Sequence, residues 1–146
     1  MNTIFQNLHH ICIVVKDLEK AVAYYESLGV GPWFDYPKSG EYLEFEVPNK
    51  EASKAMRYKC VNLDNVQVQL CDPGILDSPQ KRFLDERGEG VYHLGFEVED
   101  RDEAEARGRS SLGLPVIARG KRTDGGGFCY FDTRNEAGVV LEVRKS

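Results

Sequence analysis

Two nine-residue stretches, LHHICIVVK at 8–16 and VYHLGFEVE at 91–99, follow one plan: a histidine, an apolar run of strand length, then an aspartate and a helix-like segment. Aligning His10 with His93 also superposes Val15 on Val98, Asp17 on Asp100 and Ala21 on Ala104, and Leu28-Gly29 meets Leu112-Gly113 after a one-residue slip. An internal repeat constrains the fold more than composition does, because the chain must build the same supersecondary unit twice. In each copy β-branched and aromatic residues predict a strand after the histidine. Asp17 and Asp100 stand at helix N-cap positions, and Gly29 and Gly113 stand where a left-handed residue ends a helix. Between the first pair, Leu18, Ala21, Val22, Tyr25 and Leu28 recur at spacings of three and four, the stripe of a half-buried helix. The second helix, RDEAEARGRSSLG, is more polar and has a weaker apolar face.

Alternating stretches follow each helix. EYLEFEV (41–47), AMRYKCV (55–61) and NVQVQLC (65–71) predict strands in the first half, FCYFDT (128–133) and GVVLEVR (138–144) in the second. LDN (63–65) and NEAG (135–138) supply turn residues. DSPQKRFLDER (77–87) predicts a linking helix, started by Asp77 or Ser78, with Pro79 in its first turn and Phe83 and Leu84 on its buried face. The predicted class is α+β: one domain of two βαβββ modules, about 7–73 and 90–146, whose strands form a curved mixed sheet around a cup with helices outside.

The last strands complete the repeat. NVQVQL at 65–70 superposes on GVVLEV at 138–143, so Gln69 matches Glu142 as His10 matches His93. Side chains alternate faces along a strand, so one concave face can gather all four. Singly, each has a bland reading: a structural histidine, a solvated glutamine, a surface glutamate. Their pairing under one alignment carries the expectation of a metal site. Two imidazoles, an amide oxygen and a carboxylate form a mixed N/O set suited to divalent Zn, Ni, Co, Mn or Fe. His9 points to the opposite face from His10 and is read as structural.

Charge and length narrow the partners. With 24 acidic residues against 19 basic ones, a net charge of -5 and no basic run, nucleic acid is excluded as an expected partner. No apolar run approaches the ~20 residues of a membrane span. The stretch MNTIFQNL lacks the layout of a signal peptide, and a cytoplasmic location is expected. Cys12, Cys60, Cys71 and Cys129 show no CxxC spacing and are read as small buried hydrophobes. RTDGGGF (122–128) lacks the Lys-Ser/Thr of a phosphate loop and is read as a turn or closing loop.

The opening HHICIVVKDLEKAVAYYESLGV, with VQVQLCDP, GVYHLGFEVED and the closing GVVLEV, resembles the vicinal oxygen chelate superfamily, over nearly the whole chain. That superfamily includes glyoxalase I, methylmalonyl-CoA epimerases, extradiol dioxygenases and antibiotic-resistance proteins. The resemblance implies metal ligands on the first and last strands of each module, here His10, Gln69, His93 and Glu142. The order His/Gln/His/Glu and the run DSPQKRFLDERGEGVYH are similar to the epimerase branch; many glyoxalases have glutamate where Gln69 stands. The implied reaction is proton transfer at a carbon between thioester and carboxylate, through a metal-stabilised enolate, with Glu142 and a second glutamate, Glu44, as proton carriers. Substrates would be an acyl thioester or small acid, and the assembly a homodimer. Departures are the stretch from Pro48 to Gln69, longer than in the epimerases, and GVGPWFDYP, whose Trp33, Phe34 and Tyr36 line a pocket or belong to the core. Two other classes stay open: a glyoxalase I-like lyase or extradiol-type dioxygenase, with His10, His93 and Glu142 as a non-haem iron triad, and a non-catalytic binding protein.

Overall fold

The computed structural model describes residues 2–37 and 40–146. In chain order its elements are β1 (Leu8–Val14), α1 (Leu18–Ser27), β2 (Phe34–Asp35), β3 (Tyr42–Glu46), α2 (Lys50–Ala55), β4 (Arg57–Asn62), β5 (Gln67–Asp72), α3 (Pro79–Arg87), β6 (Gly90–Glu97), α4 (Arg101–Ala106), a π-helical turn (Arg107–Ser111), β7 (Val116–Arg122), β8 (Gly127–Phe131), α5 (Arg134–Ala137) and β9 (Val140–Lys145). The α+β class is as expected.

Both repeat helices start and stop as the sequence predicts. The Asp17 carboxylate accepts the Lys20 amide at 3.0 Å and Asp100 accepts that of Glu103 at 3.0 Å, each satisfying an orphan donor of the first turn. Gly29 and Gly113 take φ of +85° and +66°, the left-handed region that glycine enters at no steric cost. Ser78 caps α3 by accepting from Lys81 at 3.0 Å, Pro79 opens it, and Phe83 and Leu84 are its buried residues.

The chain divides into two compact units, called here after their histidines. The His10 unit holds residues 10–37 and 49–92. Its strands run β2-β4-β5-β1, with β1 parallel to β5 and the other pairs antiparallel. Val15, Leu18 and Leu70 form a buried cluster on which Ile13, Ala21, Val22, Tyr25 and Trp33 pack, so Leu18, Ala21, Val22 and Tyr25 of the predicted stripe face the sheet, whereas Leu28, just past the end of α1, is 61% exposed. Trp33 therefore belongs to the core: its ring lies 5.2 Å from Tyr25 and its indole N–H donates to the Val30 carbonyl at 2.9 Å.

The His93 unit holds residues 40–48 and 93–146 with the residues up to His9. Its strands run β6-β9-β8-β7-β3, with β6 parallel to β9. Ile4, Ala104, Cys129, Phe131 and Val143 make its core. Here the structure departs from the sequence reading. Its position in the sequence puts EYLEFEV among the strands of the first half, yet β3 pairs antiparallel with β7 of the second. Its own alternation cannot name a partner some 75 residues away; Arg119 does, by reaching both Glu44 and Glu46. RTDGGGF is a hairpin turn between β7 and β8, closed by the Asp124 carboxylate accepting from the Gly126 amide at 2.9 Å. All four cysteines are free thiols and buried. Among the described residues no helix is long and apolar enough to cross a membrane.

Candidate metal centre

In the His93 unit the parallel pairing of β6 with β9 sets His93 opposite Val140 and Gly95 opposite Glu142. His93 and Glu142 are thus diagonal neighbours on one face. The imidazole Nε2 lies 3.5 Å from the carboxylate Oε1. Both are buried, at 1% and 4% exposure. Taking a carboxylate out of water is costly unless a cation or donors compensate, so this placement marks Glu142 as more than a surface acid.

The His10 unit repeats that geometry. Parallel pairing of β1 with β5 sets His10 opposite Gln67 and Cys12 opposite Gln69, so Gln69 is diagonal to His10 as Glu142 is to His93. His10 and Gln69 are each 2% exposed. The Gln69 amide nitrogen donates to Gln67 Oε1 at 2.8 Å, and Gln67 in turn donates to Asn62 Oδ1 at 3.0 Å. Because the relay uses the nitrogen of Gln69, the amide presents its oxygen as the donor atom for a ligand-binding role. Sequence reasoning missed Gln67 and Asn62. The signal was the VQVQ alternation, which puts two amides on one face.

The donor set fits a divalent ion. Imidazole nitrogen, carboxylate oxygen and amide oxygen suit borderline and hard cations, and burial supplies the dry shell that strengthens such bonds.

Glu44 is elsewhere. Antiparallel partners share a face. The registers Glu142–Tyr130–Ala118 and Arg144–Phe128–Gly120–Phe45 place Glu142, Tyr130, Phe128 and Phe45 on one face of the His93 unit. Val143–Cys129–Arg119–Glu46, with Glu44 opposite Lys121, defines the other face. Glu44 sits on that second face, beside α4, 3.4 Å from the Arg119 guanidinium. The expectation that Glu44 faces Glu142 is corrected: its partner strand, unseen in the sequence, sets the face. Arg119 also holds Glu46 and Glu105, each at 2.8 Å. The hydrogen bond to Glu105, then those to Glu46 and Glu44, fix the guanidinium in its charged form.

Tyr130, paired with Glu142, sets its ring edge-on to His93 at 5.0 Å between centroids. Tyr36 is 42% exposed, with its ring 5.8 Å from Tyr58.

Residues 9–131 match the model of the Glyoxalase/Bleomycin resistance protein/Dioxygenase superfamily. The chain is 32% identical over 98 residues to human mitochondrial methylmalonyl-CoA epimerase, a match covering 66% of this chain and 49% of the human one, so it spans about half of that relative. It is 30% identical over 112 residues to the ethylmalonyl-CoA/methylmalonyl-CoA epimerase of Cereibacter sphaeroides, covering 73% of this chain and 74% of the relative. Among solved structures, a Streptomyces coelicolor methylmalonyl-CoA epimerase variant in complex with 2-nitronate-propionyl-CoA superposes with a TM-score of 0.69 at 25% identity, over 97% of this chain and 98% of that one. With the family model matching from the first metal-candidate strand to the end of β8, this chain belongs to the Glyoxalase/Bleomycin resistance protein/Dioxygenase superfamily.

Proposed function

We propose that this protein is a metal-dependent epimerase of a malonyl-type acyl-CoA thioester, with His10, Gln69, His93 and Glu142 serving one divalent ion. The observation that carries this reading is the duplicated diagonal: His10 with Gln69 and His93 with Glu142 occupy the same register in two parallel strand pairs, all four buried. The relatives named above, which are epimerases of methylmalonyl-CoA or ethylmalonyl-CoA, support the substrate class.

When bound, the ion would supply Lewis-acid stabilisation of the negative charge that develops on the thioester side when the α-proton leaves. The protein's own residues do the rest. Glu142, held beside the His93 imidazole, is the carboxylate placed to exchange a proton on one face of the carbon; inversion takes a second proton carrier on the opposite face, a role that Glu44, on the Arg119 side of the sheet, does not fill. Gln69, aimed by Gln67 and Asn62, contributes an oxygen that carries no charge and does not titrate. Burial excludes water that would compete for the carbanionic carbon.

The test is solvent deuterium exchange at the α-carbon of methylmalonyl-CoA and ethylmalonyl-CoA, with metal content measured alongside. One ion per chain, lost in both His10→Ala and His93→Ala, is expected together with exchange. Exchange that persists without metal, or oxygen uptake with a catechol in place of exchange, would overturn the epimerase reading. The homodimer that the resemblance implies is part of the proposal, and sedimentation giving only the 16.5 kDa species would remove it.

A further inference from the structure

The His93 unit carries a row of rings that proton transfer does not use. From His93 the centroids step 5.0 Å to Tyr130, 5.3 Å on to Phe128 and 6.2 Å on to Phe45. Tyr42 flanks the far end, 5.0 Å from Phe45 and 6.1 Å from Phe128. Tyr130, Phe128, Phe45 and Tyr42 are all half-buried. They are not the unit's core, which lies on the other face around Cys129, Val143 and Ala104. The backbone makes room for them: a Cβ on Gly120 would stand 2.6 Å from Phe128 Cε1 and 2.7 Å from Tyr42 Cε1, so a side chain there would push both rings away.

We propose that this row is the binding wall for an extended apolar substituent on the reacting carbon, so that the preferred substrate is a malonyl-type thioester bearing an alkyl or aryl group larger than methyl. The inference rests on the epimerase reading. The row begins at the ring touching His93 and runs away from Glu142 along one face. A methyl carbon contacts atoms at ~3.5–4.0 Å. On a carbon whose proton Glu142 takes, it reaches no farther than Tyr130; touching Phe128, a further 5.3 Å along, needs additional carbons. Half-buried rings are stabilised when such a group displaces their remaining water, and aromatic faces accept alkyl and aryl groups alike.

The experiment compares kcat/KM for α-proton exchange of methyl-, butyl- and benzylmalonyl-CoA in wild-type protein and in Phe128→Ala, using the metal-loaded 146-residue chain. Butyl or benzyl should exceed methyl by at least about tenfold, the scale on which apolar pockets discriminate. Phe128→Ala should collapse that ratio. Phe45→Ala, on the edge strand, should lower it for benzyl more than for butyl, and gives a second reading if Phe128→Ala does not fold. Methyl equal to or better than the longer groups, or variants that slow all three thioesters in proportion, would overturn the wall. A wild-type dimer that Phe128→Ala dissociates without changing the ratio would overturn it too, by making the row a contact between copies. If no thioester exchanges its proton, the epimerase reading falls instead. The wall is then decided by whether benzylmalonyl-CoA, but not methylmalonyl-CoA, shifts the Phe128 and Tyr130 ring resonances.

Discussion

Gln69 donates its side-chain amide nitrogen to Gln67 Oε1 across 2.8 Å, and this bond decides which end of the Gln69 amide is offered as a ligand. Gln67 lies opposite His10 on β5, and its own nitrogen is committed to Asn62. Two amides in series therefore point one oxygen in a fixed direction. A neutral ligand of this kind lowers the total charge at the centre relative to a second carboxylate, and its orientation depends wholly on its hydrogen bonds.

Gln67→Leu should therefore weaken metal binding while leaving every proposed ligand in place. The expected loss is ~10–100-fold in affinity, the usual cost of removing an outer-shell partner. Competition against a chromophoric chelator measures it. An affinity equal to wild type would mean that the relay plays no part in aiming Gln69.

Glu44→Gln is expected to leave proton exchange at the wild-type rate, because Glu44 stands on the helix side of the sheet with Arg119. Its side chain is 51% exposed, and losing such a pair costs under ~1 kcal/mol of stability. Glu142→Gln should cost at least ~100-fold in exchange, the low end for a general acid–base group. Parallel kinetics of the two variants separate the faces; a large loss in Glu44→Gln would contradict the register described for β3.

Local signals were legible in the sequence. Asp17, Asp100 and Ser78 cap their helices and Gly29 and Gly113 end theirs, since a cap needs only neighbours within a few residues. The candidate ligands were legible because the repeat compares the chain with itself, and the two diagonals share one register. What escaped was nonlocal or compensated. The partner of β3 depends on a strand far along the chain. β7 places Arg119 and Lys121 on the helix side of the sheet, where alternation predicts apolar residues; carboxylates on α4 and β3 neutralise them, and single-strand patterning cannot register that. α2 leaves little trace in the sequence: Asn49 caps it, accepting from Ala52 at 3.2 Å, but only six residues follow, too few to show a helical stripe.

Arg101, the first residue of α4, is 2% exposed, and its Nε donates to the Gly120 carbonyl at 2.8 Å while its terminal nitrogens reach Asp102 and Glu105. It ties the helix to the strand pair that carries the aromatic row. Arg101→Leu leaves the Gly120 carbonyl without this donor while Glu105 keeps Arg119, and a buried acceptor left unsatisfied typically costs ~1–3 kcal/mol. Urea unfolding should show a free energy of unfolding lower by that amount, read as a lower midpoint at unchanged slope. A loss under ~1 kcal/mol would class the contact with ordinary surface pairs.

Glu105 gives the pH dependence. Burial raises its pKa, but the hydrogen bonds from Arg119 and Arg101 outweigh burial and hold the carboxyl below its ordinary 4.5. A carboxyl whose pKa is lower folded than unfolded binds more protons when unfolded, so its stabilisation is complete above the unfolded value and disappears as pH falls through the folded one. The wild-type melting temperature should therefore drop as the solution is acidified below 4.5. Glu105→Gln should melt lower at neutral pH yet show a shallower acid decline, since an amide has no proton to gain. Asp102 and Asp124, whose carboxyls are also held low by hydrogen bonds from Lys121 and from the Gly126 amide respectively, are present in both proteins, so the difference between the two curves isolates Glu105. Melting curves that run parallel from about pH 6 to 3, the range spanning an ordinary carboxylate titration, would show that the Arg101–Glu105–Arg119 network does not hold the charge that its geometry assigns to it.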